Sequence, residues 1–278
     1  MPSKKLLLIL FFVPSIVSFF KLFKITVSSS IYSCLPAAPI IPNPRSYTNL
    51  ATAHVTHKLT RYATTHEEGN LTRKEYRLIS NLISQRPPCN LLFFGFRPQF
   101  LGLAILNTKG TTAFLEDDEE NLKIVTQQNK EVRVYKVKYC EKASEAYELL
   151  KHAREHFGCK LEATHLLQET GCKLRRIGLP KEVYERKWDV VVVDGPRGDG
   201  PEAPGRMAAI YTAAVIARVG NSTDVFVHDV HRMIEKWYSW EFLCHENLIS
   251  SKEKLWHFRV EGKSRFTSFC PEAKFQIV

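Results

Sequence analysis

The sequence lacks the cysteine spacing of a zinc site, and its seven cysteines are an odd number, so at least one is unpaired within the chain. Acids are also scarce, with 29 Asp and Glu against 39 Lys and Arg, which gives a net charge of +10. This excess favours an acidic partner, and nucleic acid, anionic lipid and acidic polysaccharide all qualify. The 44% apolar fraction excludes wholesale disorder and fibrous repeats.

One long apolar run stands at the amino terminus, from Leu6 to Phe20, between two pairs of lysines. Extended to Val27 it reaches bilayer length, so residues 1–27 are predicted to form a short cytosolic tail and a transmembrane signal-anchor. A cleaved signal peptide is the alternative, because small residues follow the run. Either interpretation sends the rest of the chain into the secretory lumen and disfavours a nucleic-acid partner.

Residues 28–70 are rich in Ser, Thr, Pro and Ala without a sustained apolar period, and we interpret them as a luminal stem. Glycosylation sequons at Asn70 and Asn221 agree with a luminal location. In an oxidising compartment two cysteine pairs are candidates for disulfides, although spacing alone leaves other pairings open. The two pairs are Cys159 with Cys172 and Cys244 with Cys270.

The remaining residues, 71–278, alternate short apolar runs with amphipathic stretches, beginning with a capping box at Thr72 and Glu75. Strands are predicted at residues 91–94, 111–115, 132–137, 189–194 and 224–227. Helices are predicted after them at 100–106, 119–128, 143–156, 208–218 and 232–240, with an irregular insert at 158–188. Two last runs, 246–250 and 255–260, predict an antiparallel hairpin. This pattern predicts an α/β domain with a doubly wound, mostly parallel sheet of seven strands.

Sheets of this kind bind ligands at the carboxyl ends of their strands. The first strand ends at Gly95, which Arg97 follows where a second glycine would be expected, so a dinucleotide loop is poorly supported. The second strand ends in Glu116 and Asp117, and Glu116 lies 21 residues after Gly95, the distance typical of an acid that binds a ribose diol. A single glycine, a ribose acid and seven strands are the arrangement of S-adenosylmethionine-dependent methyltransferases. Gly95, Glu116 and Asp117 are therefore predicted to bind that cofactor, unless Glu116 is only a helix-end acid.

The fourth and fifth strands also end in acids, Asp194 and the pair His228 and Asp229. Asp194 and Asp229 are predicted to hold a divalent cation, or one of these three residues to take the proton from an attacking hydroxyl. The alternative is that the acids cap the following helices.

Two arginines follow Asp194 in the sequence, Arg197 and Arg206. Guanidinium groups pair with carboxylates in a bidentate fork, so these two are predicted to bind an acidic substrate. Solvated surface arginines are the alternative.

Five segments together resemble the plant xylan-biosynthesis family, which comprises glucuronoxylan 4-O-methyltransferases and irregular-xylem-fifteen-like proteins. They are CNLLFFG at 89–95, WDVVVVDGPRG at 188–198, EAPGRM at 202–207, VFVHD at 225–229 and EFLC at 241–244. The resemblance implies a single-pass type II protein of the Golgi membrane, with its catalytic domain in the lumen, acting on secondary-wall glucuronoxylan. It also implies methyl transfer from S-adenosylmethionine to O4 of glucuronic acid, with other xylan-synthesis proteins as further partners.

The two branches of that family stay open. The acids of FLEDD at 114–118, PEAP at 201–204 and LWHF at 255–258 resemble the methyltransferases. By contrast, DGPRGD at 194–199 and ENL at 246–248 resemble the irregular-xylem-fifteen branch, which implies no catalytic role but a part in xylan assembly. Arg97 departs from the methyltransferase pattern, which has glycine at that position.

Overall fold

The structure is a computed structural model that describes residues 69–161, 171–175, 178–262 and 268–270. The predicted anchor at 1–27 and nearly all of the predicted stem at 28–70 lie outside these residues. No helix within the described ranges is long and apolar enough to cross a bilayer.

The first half of the domain follows the predicted order, beginning with helix α1, whose capping box joins Thr72 and Glu75 as predicted. Its elements are α1 (Arg73–Ser84), β1 (Asn90–Phe94), α2 (Phe100–Leu106), β2 (Thr111–Glu116), α3 (Glu119–Gln128) and β3 (Arg133–Lys136). Helix α3 has the predicted bounds because Asp118 caps it, accepting hydrogen bonds from the N–H groups of Glu120 and Asn121.

The second half differs from prediction in two places. The helix predicted at 143–156 begins with a 3-10 turn, Ala143–Glu145, before α4 (Ala146–Glu155). The insert predicted as irregular contains a short helix, α5 (Lys181–Glu185), which starts after Pro180 and buries Val183. The other elements are β4 (Val190–Val193), α6 (Met207–Ala217), β5 (Ser222–Val227), α7 (Met233–Phe242), β6 (Leu248–Lys252) and β7 (Leu255–Glu261).

The sheet has the strand order β3-β2-β1-β4-β5-β7-β6. Strands β1 to β5 pair in parallel, while β7 is antiparallel to both β5 and β6, which confirms the predicted hairpin. The order reverses between β1 and β4, and an open α/β sheet binds its ligands at such a switch point. This strand order with a reversed β7 is that of S-adenosylmethionine-dependent methyltransferases, as predicted.

Both faces of the sheet are covered, which explains the unbroken valines of β4. On one face Leu91 and Phe93 of β1 pack with residues of α1, α2 and α3. On the other, Leu92 and Phe94 pack with residues of α4, α6 and α7. Every residue of α6 is buried, so this helix forms the centre of that layer.

Two disulfides confirm the predicted pairs, Cys159 with Cys172 and Cys244 with Cys270. Cys140 is also disulfide-bonded, and Cys89 is a buried free thiol. The sequon residue Asn221 is exposed, whereas Asn70 is half-buried.

Candidate functional site: the carboxyl edge of the sheet

Gly95 ends β1 in a left-handed conformation, with φ of 87°. A Cβ atom on Gly95 would lie 2.7 Å from the Cα of Gly195, the residue after Asp194, so both positions require glycine. The backbone after β1 therefore packs directly on the backbone after β4. This close approach forms the floor of the switch point.

Glu116 joins that turn to the end of β2. Its Oε2 accepts a hydrogen bond of 2.6 Å from the N–H of Phe96, and its Oε1 accepts bonds of 2.9 Å from the N–H groups of Asp117 and Asp118. Burial raises the pKa of Glu116 to about 7, although these N–H groups partly oppose the shift. A carboxylate has about four lone-pair sites, so the carboxylate can still accept a further bond from a ligand hydroxyl.

Asp117 and Tyr139 lie near Glu116. Asp117 is half-buried, and burial raises its pKa. Tyr139 follows β3, and its pKa is raised well above the usual value by burial and then by the charges of Asp117 and Glu116. Its buried hydroxyl has no hydrogen-bond partner within the described part of the chain. Two carboxylates and an unpaired donor beside the β1 turn fit the ribose end of S-adenosylmethionine.

Arg97, the departure from the glycine pattern, folds back onto β4. Its Nε donates a 3.0 Å hydrogen bond to Oδ2 of Asp194, and 17% of its side chain is exposed. The guanidinium group also lies beside Gly69, whose Cβ would be 3.1 Å from an Arg97 nitrogen. Arg97 is therefore a cation at the rim of the site.

Asp194 is buried and faces three cations: Arg97, Arg206 and His228. Its Oδ1 is 2.9 Å from Nδ1 of His228 and 3.2 Å from Nη2 of Arg206. Burial alone would raise the pKa of Asp194, but these cations hold it well below the usual range. The sequence-based prediction that Asp194 accepts a proton is therefore not supported by its surroundings, since so weak a base takes up little proton.

Arg206 is completely buried, contrary to its predicted contact with substrate. Its nitrogens donate 2.9 Å hydrogen bonds to the carbonyl oxygens of Pro196 and His228 and to Oδ2 of Asp229. Because the whole fork is used inside the protein, Arg206 cannot bind an acidic substrate in this arrangement. Arg197, the other predicted arginine, is exposed on the loop after β4.

His228 lies between two acids. Its Nδ1 faces Asp194, and its Nε2 is 3.6 Å from Oε2 of Glu75. Burial by itself lowers the pKa of His228, but Asp194, together with Glu75 and Asp229, raises it to about 9. The imidazole is therefore a cation at neutral pH and not a ready base.

Sequence reasoning noted Arg97 only as a departure from the glycine pattern, and it missed four further site residues: Glu75, Tyr139, Arg232 and Glu235. Glu75 was identifiable only as a helix cap, because its contact with His228 joins segments far apart in the chain.

Asp229 completes the cluster with a left-handed φ of 61°. One ligand atom each from Asp194, His228 and Asp229 lies within 4.8 Å of the others, a spacing compatible with a metal. However, Nη2 of Arg206 is already 3.2 Å from Asp194 and 2.9 Å from Asp229. We call this set of acids and cations the buried ionic cluster: Glu75, Asp194, Asp229 and Glu235 with Arg97, Arg206, His228 and Arg232.

Formal charges in the buried ionic cluster balance, with four carboxylates against three arginines and a charged histidine. A divalent cation between Asp194 and Asp229 would add two uncompensated charges beside Arg206 in a buried position. The residues therefore do not fit the predicted divalent metal. Asp194 and Asp229 do come together, as predicted, but around an arginine.

Comparison with known proteins identifies the family to which the domain is related. The family model described as IRX15/IRX15L/GXM matches residues 74–258. The Arabidopsis thaliana protein IRREGULAR XYLEM 15 is 37% identical over 87% of this chain and 77% of its own length. Glucuronoxylan 4-O-methyltransferase 2 from the same plant is 37% identical over 82% of this chain and 79% of its own length. Arabinogalactan O-methyltransferase 2, also from Arabidopsis thaliana, is 38% identical over 74% and 72%.

Solved structures resemble the fold only distantly. A methyltransferase-like protein from Silicibacter pomeroyi is 15% identical, covers 79% of this chain and 90% of its own, and has a TM-score of 0.32. The fold assignment therefore depends on the strand order and on the family match.

Proposed function

Because the chain belongs to the IRX15/IRX15L/GXM family, we propose that it is an S-adenosylmethionine-dependent O-methyltransferase. We propose O4 of glucuronic acid in glucuronoxylan as the acceptor, and the Golgi membrane, with a luminal domain, as the location. One observation carries the proposal: Glu116 at the end of β2 hydrogen-bonds the turn that follows Gly95. This contact lies at the switch point of the sheet, and it supports our proposal that Glu116 binds the ribose of the cofactor.

S-adenosylmethionine, when bound, supplies an electrophilic methyl group on a positive sulfur. We expect Glu116 and Asp117 to orient its ribose end, while Gly95 keeps the floor free of side chains. Methylation of the acceptor hydroxyl would release its proton, which must be taken up nearby. His228 already carries its proton and Asp194 is too weak a base, so we propose that water at the open edge takes up this proton.

Arg97 replaces Arg206 in our proposal as the cation that faces an acidic acceptor. Its side chain is partly exposed, whereas that of Arg206 is fully buried. A glucuronic acid carboxylate next to O4 could share the guanidinium group with Asp194, because an arginine has five N–H donors. This contact would favour acidic over neutral xylan.

Full-length protein in detergent should be incubated with methyl-labelled S-adenosylmethionine and three polymers: glucuronoxylan, arabinogalactan and neutral xylan. We expect label in 4-O-methylglucuronic acid after hydrolysis of glucuronoxylan, and none in neutral xylan. Label confined to arabinogalactan would reassign the acceptor. Arabinogalactan O-methyltransferase 2 and glucuronoxylan 4-O-methyltransferase 2 are about equally similar to this chain, at 38% and 37% identity. Equal labelling of neutral xylan would remove the reason for a cation at position 97.

A non-catalytic part in xylan assembly is the second candidate. Arg97 favours it, because an arginine stands where the methyltransferase pattern has glycine, and the match to IRREGULAR XYLEM 15 covers most of the chain. Calorimetry with S-adenosylmethionine separates the two: binding supports the enzyme, and its absence together with no transfer supports the assembly role.

A further inference from the structure

Three tryptophans form a surface that the proposed chemistry does not use. Trp237 and Trp240 on α7 are 39% and 46% exposed, and the rings of Trp240 and the half-buried Trp256 of β7 stack at 5.4 Å. We call Trp237, Trp240 and Trp256 the tryptophan platform. Met233, 61% exposed and one turn before Trp237, extends the same helix face. Large contiguous apolar side chains on a surface indicate a binding site more often than chance exposure.

The platform lies at the edge of the sheet that holds the candidate site. Trp256 pairs in register with Val227, the last residue of β5, which directly precedes His228 and Asp229. Next to Met233, Arg232 donates a 2.8 Å hydrogen bond to the carbonyl oxygen of Arg197 in the loop after β4. An acceptor held at this edge would therefore meet the platform just outside the buried ionic cluster.

Two lysines lie close to the platform in the sequence. Lys236 lies on the same face of α7, one turn before Trp240, and Lys254 is two residues before Trp256. Neither side chain has an ion-pair partner within the described ranges, whereas Glu241 and Glu253 nearby are paired with Arg154 and Lys74. The local charge is thus positive and complements an anionic ligand.

We propose that the tryptophan platform binds the backbone of an acidic polysaccharide and holds it beside the candidate site; the inference builds on the proposed function. The flat face of a pyranose ring carries C–H groups that pack against an indole, while its hydroxyl groups stay hydrated. Indole rings lose little conformational freedom on binding, and their N–H groups can donate to sugar oxygens. The lysines would attract uronic acid side chains without contacting the transferred methyl group.

Binding of glucuronoxylan by full-length protein in detergent, without S-adenosylmethionine, tests the platform apart from the chemistry. We expect Trp240→Ala to raise the dissociation constant roughly tenfold, as for loss of a stacking aromatic, with unchanged affinity for S-adenosylmethionine. Trp240→Tyr should retain most of the binding because it keeps an aromatic face. Phe157→Ala is the matched control, since Phe157 is 58% exposed but lies outside the platform.

Arabinogalactan and neutral xylan provide further arms, and neutral xylan should bind more weakly than either acidic polymer. Wild-type affinity for both acidic polymers in Trp240→Ala would overturn the proposal. Two other results for Trp240→Ala would also overturn it, provided that polysaccharide binding stays intact. A change from dimer to monomer in sedimentation would mean that the platform contacts another copy of the chain. Loss of binding to anionic vesicles would mean that it contacts a membrane. Absence of methyl transfer in every variant would refute the proposed function but not the platform.

Discussion

Acids end β2 and acids end β4 and β5, yet the two groups have opposite surroundings. Glu116 accepts hydrogen bonds from three backbone N–H groups, and burial raises its pKa to about 7. Asp194 faces three charged side chains that hold its pKa well below the usual range. A strand-end acid is therefore not a functional assignment in itself. Its neighbours decide whether it can bind a new polar ligand or is already committed to the fold.

The largest expected effect is the loss of stability when the buried ionic cluster at the ends of β4 and β5 is broken. Arg206→Ala would leave the buried carboxylates of Asp194 and Asp229 without their shared cation. Removing one partner of a buried ion pair typically costs about 3 to 5 kcal/mol, so we expect a free energy of unfolding lower by that amount. Urea titrations followed by circular dichroism measure it.

Arg197→Ala is the control for that experiment, because Arg197 is exposed and its effect should stay within about 0.5 kcal/mol. Similar losses from both variants would show that the buried ionic cluster is not a stabilising centre.

The second effect concerns the affinity for S-adenosylmethionine at the acids that end β2. Glu116→Gln keeps the size of the side chain but replaces an acceptor oxygen by an amide donor. We expect S-adenosylmethionine to bind more weakly by about 1.5 to 3 kcal/mol, the value for hydrogen bonds to a charged group. Calorimetry would measure this, with the exposed Glu120→Gln on α3 as control. Wild-type affinity in Glu116→Gln would leave Glu116 only as a brace for the β1 turn.

The third effect is a dependence of stability on pH that arises from Glu116. The pKa of Glu116 is about 7 in the folded protein against an ordinary 4.5, so the folded state holds this proton more tightly than the unfolded state. Stability should therefore fall as pH rises from 5 to 7, by about 2 kcal/mol relative to Glu116→Gln. Parallel urea midpoints at pH 5, 6 and 7 give the difference. A constant difference between the two proteins would mean that Glu116 is ionised throughout.

His228 titrates in a separate window in the same proteins. Its pKa is raised to about 9 from an ordinary 6.5, so its contribution is complete below pH 6.5 and is lost as pH rises towards 9. Both proteins share this loss, which cancels in the comparison.

The backbone was predictable from the sequence because burial and capping are local or periodic signals. The valines of β4, the capping box of α1 and the hairpin of β6 and β7 each follow from a few neighbouring residues. The positions of Gly95, Glu116 and Asp194 at one edge follow from strand polarity. The resemblance of five sequence segments to one family also agrees with the family model that matches residues 74–258.

The direction of Arg206 was not predictable in the same way. Arginine is rarely fully buried, and its inward orientation depends on acceptors from the loop after β4 and from the end of β5. The role of Glu75 likewise needs α1 to pack beside His228. Contacts between distant segments decide the charge state of a site, and composition does not record them.

The smallest effect should come from Asp117, and it separates the contributions of Asp117 and Glu116 to cofactor binding. Asp117 is half-buried, so water competes for its hydrogen bonds. Asp117→Asn should therefore weaken the binding of S-adenosylmethionine by less than about 1 kcal/mol. Glu116 is enclosed and should account for the larger loss. If calorimetry gave the reverse order, Asp117 would be the ribose acid and Glu116 the residue that holds the turn. The double variant then decides whether the acids share one ligand, because losses that fail to add indicate coupled groups.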